Sequence, residues 1–580
     1  MHSYLKIFAI LSLTAFSTAC TKQLKLKQPS PAQEIEEEFQ ESDLDILESA
    51  NIPYELTDIK NPEKFVKYYL RSKFSLYNSD TLNEIAENNY KLALENPNDF
   101  EAQEQAFLLL LANQNYAKAI NIINANKHSE QLTFENLFSY ARAIAQDNTK
   151  KSEVILDNLL QTQNRLPHLK ILKAYFKYQK TSDIQTLKED ILTINSSLSL
   201  DGFKYYYIGR AYEAKKEYVT AFKFYSLAFF QHTLRTEDVF SRLMYTSTKI
   251  DKKYRKNLFA SNAKYGNNIY LVDQAFIDTT LIPELNNSLK ELSSQVFYDL
   301  GWSINQTSAN LAGLDFLALA DYIAPNDKIK FQMAKGMYAN SWPDDSVDLL
   351  EAIKPGSQYY LSSRIVLADM LKSIAPEKAV DVVLELKQNS RFNKHYLDSV
   401  LGQIYLNNNQ FDKAITSLTS ALEKDKSSKI YFSRAVAYER TNKFEKALTD
   451  LETALNKNPK NPIVLNYLGY LLIDLNKDAE KGLDYIRQSV KLDPTSAASL
   501  DSLGWAYIKL KAYEEGLETL ETAYAQDSQD GVITGHLGDA YFYNGRKKEA
   551  IIYWKKALEL EKDDTREINR IKQQLYKYNN

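Results

Sequence analysis

The side chains that could do chemistry are few and scattered. Histidines stand at 2, 128, 168, 232, 395 and 536, and no two have the spacing that lets imidazoles share a metal ion. There is no His-Glu-x-x-His, no Gly-x-x-x-x-Gly-Lys-Ser/Thr loop to cradle phosphates, no Gly-x-Gly-x-x-Gly turn and no Gly-x-Ser-x-Gly elbow. Carboxylates are plentiful, but lysines stand beside them, as in Glu445-Lys446 or Lys555-Lys556 with Glu559, the pattern of solvated helix faces. These residues predict no enzyme, no metal, no cofactor and no small-molecule substrate, and they leave each histidine as a surface or packing residue. One reactive group remains. Cys20 is the only cysteine, so no intramolecular disulfide can form and the fold must be held by packing.

The residues before Cys20 say what its thiol is for. Lys6 is followed by a mostly apolar run from Ile7 to Phe16 and then by the small residues Ser17-Thr18-Ala19. The run is about half of what spans a bilayer as a helix, which predicts a secretion signal over 1–19. Ser17-Thr18-Ala19-Cys20 resembles the lipobox of bacterial lipoproteins. That resemblance implies a diacylglyceryl group on the Cys20 thiol, cleavage before Cys20 and acylation of the new amine. Ser17 departs from the usual Leu, and Ser17 with Ala19 would also suit ordinary signal cleavage, which would leave the lone cysteine at the cut by coincidence. Several acyl chains anchor firmly where one would not. Thr21 rather than Asp after the cysteine implies, by resemblance to Gram-negative sorting, lipid anchoring in the outer membrane, facing the periplasm.

Residues 20–60 differ from the rest. Lys22, Lys25 and Lys27 precede Pro29 and Pro31, and then acidic residues crowd Glu34 to Glu48. Dense like charge with little apolar surface predicts a flexible tether. Across the chain, 71 basic residues face 75 acidic ones, a net charge of −4 that carries no nucleic-acid footprint. With 580 residues but only 16 Gly and 14 Pro, the chain is too long for one core and too poor in turn residues for sheets. Helices in several units are expected.

A period of about 34 residues organises them. Small residues recur at Gly402, Ala435, Gly469, Gly504 and Gly538. Three positions on come Tyr405, Tyr438, Leu472, Tyr507 and Tyr541, and second small residues stand at Ala414, Ala447, Gly482, Gly516 and Ala550. Small residues at two crossing points let antiparallel helices approach closely, and one pair cannot hide its own apolar face, so neighbours must stack. The pattern, as in Leu503-Gly504-Trp505-Ala506-Tyr507, resembles the tetratricopeptide repeat (TPR). The resemblance implies an all-α superhelical solenoid of stacked antiparallel helix pairs. Well-formed repeats are read at 391–562, a capping helix at 563–580 and degenerate repeats at 61–390. In the degenerate stretch, Gly209 with Ala221 and Tyr225, Gly301 with Gly313 and Leu317, Lys335 with Tyr338 and Val347, and Ala368 with Ala379 mark units.

The resemblance also implies a binding face. In the family, ligand-facing positions lie three before, one after and four after the small marker of each first helix. Carried over, these give Phe432, Tyr470, Trp505 and Phe542, one aromatic in each of four successive units, with Asn466 and Asp501 placed to hold a peptide backbone. Some of the rings could instead pack on the next unit. None of the fifteen positions so assigned is basic, which predicts poor binding of anionic tails. Lipid, tether and long array together resemble outer-membrane TPR lipoproteins, some of which hold a carboxyl-terminal processing protease and deliver cell-wall hydrolases to it. The implied function is a non-catalytic scaffold for periplasmic or envelope proteins. The alternative is an assembly factor for a pilus, a secretion system or outer-membrane protein insertion.

Overall fold

The computed structural model describes residues 81–578, except 96 and 98, 126–132, 163–165, 195–197, 232, 233 and 235, 263–281, 283 and 286, 308–310, 389–392 and 562–564. The expected signal at 1–19, Cys20, the expected tether at 20–60 and the stretch 61–80 lie outside the described residues. Among the described residues there are 28 α-helices, a short π-helical stretch at Leu227–Gln231 and no strand. They form an all-α array of packed helices, grouped in two compact units that divide between residues 367 and 368.

The first unit runs through α1 (Leu82–Glu95), α2 (Phe100–Ala112), α3 (Tyr116–Ala125), α4 (Thr133–Ala145), α5 (Thr149–Thr162), α6 (His168–Thr181) and α7 (Ile184–Leu192). It continues with α8 (Leu198–Ala214), α9 (Tyr218–Ser226), α10 (Glu237–Thr248), α11 (Lys252–Asn262), α12 (Leu289–Thr307), α13 (Leu311–Ile323), α14 (Asp327–Ala339) and α15 (Pro343–Ala352). Several consecutive helices pack as pairs, among them α1 with α2, α4 with α5, α8 with α9, α12 with α13 and α14 with α15. The unit also does something that neighbour-only stacking does not: α13 packs on α2 and α4, and α12 packs on α4 and α6. The array closes on itself, and one apolar core runs from Leu82 to Trp342.

Buried polar groups hold the closure. The Tyr116 hydroxyl donates to Asp321 at 2.8 Å, Tyr140 meets Ser293 at 2.6 Å, and Tyr207 donates to Asp299 at 2.5 Å. Each bond joins segments that are distant in sequence, and each hydroxyl would be costly to bury alone. The sequence register needs one correction here. The crossing of α14 and α15 lies at Ala334 and Ser346, where the Ser346 hydroxyl donates to the Ala334 carbonyl at 2.7 Å, one residue before the expected Lys335 and Val347. A small hydroxyl bonded to the facing backbone replaces the expected small apolar residue.

After α16 (Tyr360–Leu371), which straddles the division, the second unit contains α17 (Pro376–Gln388) and five regular pairs. These are α18 (Lys394–Asn407) with α19 (Phe411–Leu422), α20 (Ser428–Arg440) with α21 (Phe444–Lys457), and α22 (Pro462–Asp474) with α23 (Ala479–Leu492). Then come α24 (Ala497–Lys509) with α25 (Tyr513–Gln526), and α26 (Gly531–Tyr543) with α27 (Lys547–Leu560). The helix α28 (Thr565–Tyr578) ends the unit. Close approach is most literal between α22 and α23: a Cβ on Gly469 would lie 2.5 Å from the Gly482 carbonyl oxygen, and one on Gly482 would lie 2.7 Å from the Gly469 carbonyl.

The turns inside the five pairs share one construction. A left-handed residue (Asn409, Asn442, Asn476, Lys511 or Gly545) ends each first helix. The next residue's N–H then returns to the carbonyl of the residue three past the small marker, as in Gln410 to Tyr405 at 2.8 Å and Arg546 to Tyr541 at 2.9 Å. Asparagine and glycine tolerate this conformation best, which explains their recurrence there.

Candidate protein-binding lumen

The first helices form the inner row of the second unit. Neighbouring first helices pack on one another (α18 on α20, α22 on α24, α24 on α26), and α28 continues the row against α26. Side-chain caps start α22, α24 and α26: Asn461 accepts from the N–H groups of Ile463 and Val464, Ser496 from Ser499, and Asp530 from Val532 and Ile533. The small markers pack against the second helix of each pair, as Gly402 does on Leu418 and Gly504 on Leu520, which leaves the positions three before, one after and four after each marker on the other side of the first helix.

The six candidate residues are distributed over four units. Phe432 is buried edge-on against Tyr467, with ring centroids 5.4 Å apart. Asn466 is buried, and its side-chain N–H reaches the Ala498 carbonyl of the next unit at 3.4 Å. Tyr470 is half-buried. Asp501 and Trp505, one turn apart on α24, converge on a single side chain of α26, His536. The imidazole Nδ1 lies 2.9 Å from an Asp501 oxygen, while the indole stacks on the ring at 4.3 Å with 14° between planes. Phe542 packs at 4.4 Å on Tyr578 of α28 and at 5.7 Å on Trp554. Phe432, Asn466 and Asp501 are thus buried beneath their neighbours, and Tyr470, Trp505 and Phe542 are half-buried.

The sequence reading missed the basic groups. It assigned α28 only an end-cap role, whereas Arg570 on α28 pairs with Asp539, donates through Nε to Glu567 at 2.7 Å and lies over Trp505 at 5.7 Å. Arg566 reaches further, to Glu439 on α20, at 2.9 Å. Tyr467 donates to the other oxygen of the same carboxylate at 3.2 Å. The available signal was spacing: Arg566 and Arg570 lie four apart and therefore share one helical face.

Burial sets the electrostatics of these groups. Burial alone would lower the His536 imidazole, but the Asp501 carboxylate outweighs it and the net shift is upward. Burial raises Asp539 in spite of Arg570 and His536 beside it. Burial also pushes Glu567 upward, but bonding to Arg570 reverses the sign and holds it below its ordinary value. The Asp501–His536 pair has the elements of an acid–base dyad. With His536 only 3% exposed and capped by Trp505, its geometry suits locking two units together better than transferring protons to a substrate. Among the described residues, no three His, Cys, Asp or Glu side chains gather as a metal site.

Comparison with known proteins bears on the second unit. Residues 367–563 match the tetratricopeptide repeat family. The TPR match therefore covers the stretch where the marker spacing is regular. Solved TPR-fold structures are similar over about a third of the chain. The thermophilic TPR protein TTC0263 from Thermus thermophilus is 21% identical, over 31% of this chain and 99% of its own, with a TM-score of 0.29. MamA (41-end) from Desulfovibrio magneticus RS-1 is 20% identical, over 30% of this chain and 98% of its own, with a TM-score of 0.26. YrrB, described as a TPR protein with an unusual peptide-binding site, is 19% identical, over 34% and 99%, with a TM-score of 0.24. No curated protein matches the chain.

Proposed function

We propose that the chain is a non-catalytic scaffold of the bacterial envelope, anchored by lipid at Cys20 in the outer membrane and presenting its TPR lumen to periplasmic proteins. One observation carries the binding part of this reading. The first helices of three successive TPR pairs place the half-buried rings of Tyr470, Trp505 and Phe542 on one face built by close helix packing. Such a face offers a partner rigid aromatic anchors at low entropic cost. The lipid anchor and its compartment rest on the lipobox-like segment before Cys20. The adaptor arrangement implied by resemblance, a carboxyl-terminal processing protease with its cell-wall hydrolase substrates, is the specific case to test.

Affinity capture of the lipidated chain from native envelopes tests the scaffold. Trp505→Ala and Tyr470→Ala should lower recovery of partner proteins while far-UV circular dichroism stays unchanged. Equal recovery by wild type and both variants would remove the lumen from the account. Cys20→Ser should shift the chain from the membrane pellet to the soluble fraction. Retention in the pellet would refute the lipid anchor.

A further inference from the structure

The contact that the repeat pattern does not require is the one made by Arg566. It begins the helix that ends the array, yet its guanidinium sits on Glu439 of α20, 127 residues earlier. The two partners differ sharply in environment: the Glu439 side chain is 3% exposed and that of Arg566 is 47% exposed. A buried carboxylate, already 3.7 Å from Arg440 and bonded by Tyr467, is thus also answered by a cation that arrives from the solvent side. The rest of α28 is fastened separately. Ile571 is fully buried, Arg570 pairs with Asp539, and Tyr578 packs on Phe542.

We propose that the C-terminal helix is an autoinhibitory strap across the lumen of the second unit. Arg566 occupies on Glu439 the place that a lysine or arginine of a bound helical protein segment takes when the strap opens. The partner surface is accordingly cationic where it meets Glu439 and apolar where it meets Trp505 and Phe542. A segment that must displace Arg566 binds more weakly than its contacts alone would allow, because only the open fraction of the protein is competent. This inference rests on the reading of the lumen as the binding face.

The test uses fluorescence anisotropy on the full chain, with two labelled amphipathic helical peptides of the same length and apolar face. One carries arginines on its polar face and the other carries glutamates. Arg566→Ala should tighten binding of the cationic peptide by about 2- to 5-fold, the range expected for releasing an ion pair with one exposed member. It should leave the anionic peptide weak. Glu439→Gln should weaken cationic binding, and Arg566→Ala should bring no gain in that background. An unchanged or weaker cationic affinity in Arg566→Ala, an equal gain for the anionic peptide, or no binding of either peptide to any variant would each overturn the strap. Capture of partners from envelopes by the wild-type chain reports separately on the scaffold reading, so the two can fail independently.

Discussion

Replacing Gly469 by alanine places one methyl group where two helices touch. The added Cβ would lie 2.5 Å from the Gly482 carbonyl oxygen and 2.7 Å from Ile486 Cγ1. A carbonyl inside a helix cannot rotate aside, so α22 and α23 must part. A separation of about 0.5–1 Å already forfeits a quarter to a half of the dispersion attraction along the contact. Overpacking of this kind costs about 1–3 kcal/mol, and the upper half applies where backbone is struck. Alanine returns about 1 kcal/mol through its better helix propensity. The net expectation is a loss of about 1–2 kcal/mol, or a melting temperature lower by about 2–8 °C for a unit of this size. Thermal and urea unfolding followed by far-UV circular dichroism measure it. Gly356→Ala is the control, since a Cβ there meets nothing within 4 Å. If Gly469→Ala is neutral, or gains the stability expected of an open helix interior, the close approach that underlies the repeat argument is wrong.

Three further predictions address other parts of the molecule. Trp554→Ala should cost about 3–5 kcal/mol in urea unfolding, because the ring is fully buried and its N–H, bonded at 2.9 Å, satisfies Asp539. A smaller loss would mean that the last pair and α28 collapse onto the space. Tyr116→Phe should destabilise the first unit by about 1–3 kcal/mol by leaving a buried acceptor short of a donor, with amide exchange speeding in both α3 and α13. Exchange confined to α3 would contradict the closure. Glu135 is 2% exposed, neither carboxylate oxygen has a hydrogen-bond partner among the described residues, and burial followed by the nearby Glu104 pushes it up to about 7. A raised carboxyl favours the folded state while protonated, so its contribution is complete below the ordinary Glu range and is lost as pH rises through about 7. Glu135→Gln should therefore flatten the fall in melting temperature between pH 5 and pH 8. An unaltered slope would show that Glu135 is solvated.

Much of the second unit was legible in the sequence because its signal repeats. Five small-residue pairs at fixed spacing state the same packing rule five times, and the pairs α18–α19 to α26–α27 obey it. The first unit was harder to read for a physical reason. Its closure depends on single pairs such as Tyr116–Asp321 and Tyr207–Asp299, which join distant segments and recur nowhere, so no period announces them. The slip from Lys335 to Ala334 has the same origin, since Ser346 fills the crossing with a hydrogen bond instead of a small apolar residue. In the lumen, spacing identified the helix faces. It could not show that Phe432, Asn466 and Asp501 lie beneath their neighbours, or that His536 joins Asp501 to Trp505. Those facts depend on how the units curve over one another, a property of the assembled array rather than of any one repeat. The arginines of α28 escaped notice because a terminal helix needs only a polar outer face to keep an array soluble, and Arg566 satisfies that requirement while also reaching inward.

Site-specific photocrosslinking in intact envelopes tests most directly whether this lumen receives a protein. A photoreactive amino acid at Trp505, half-buried on α24, is compared with one at Ile552, which is 63% exposed on α27 of the outer row. The account predicts discrete protein adducts from position 505 and none of the same mass from position 552. Adducts from position 552 alone, or identical adducts from both positions, would contradict it.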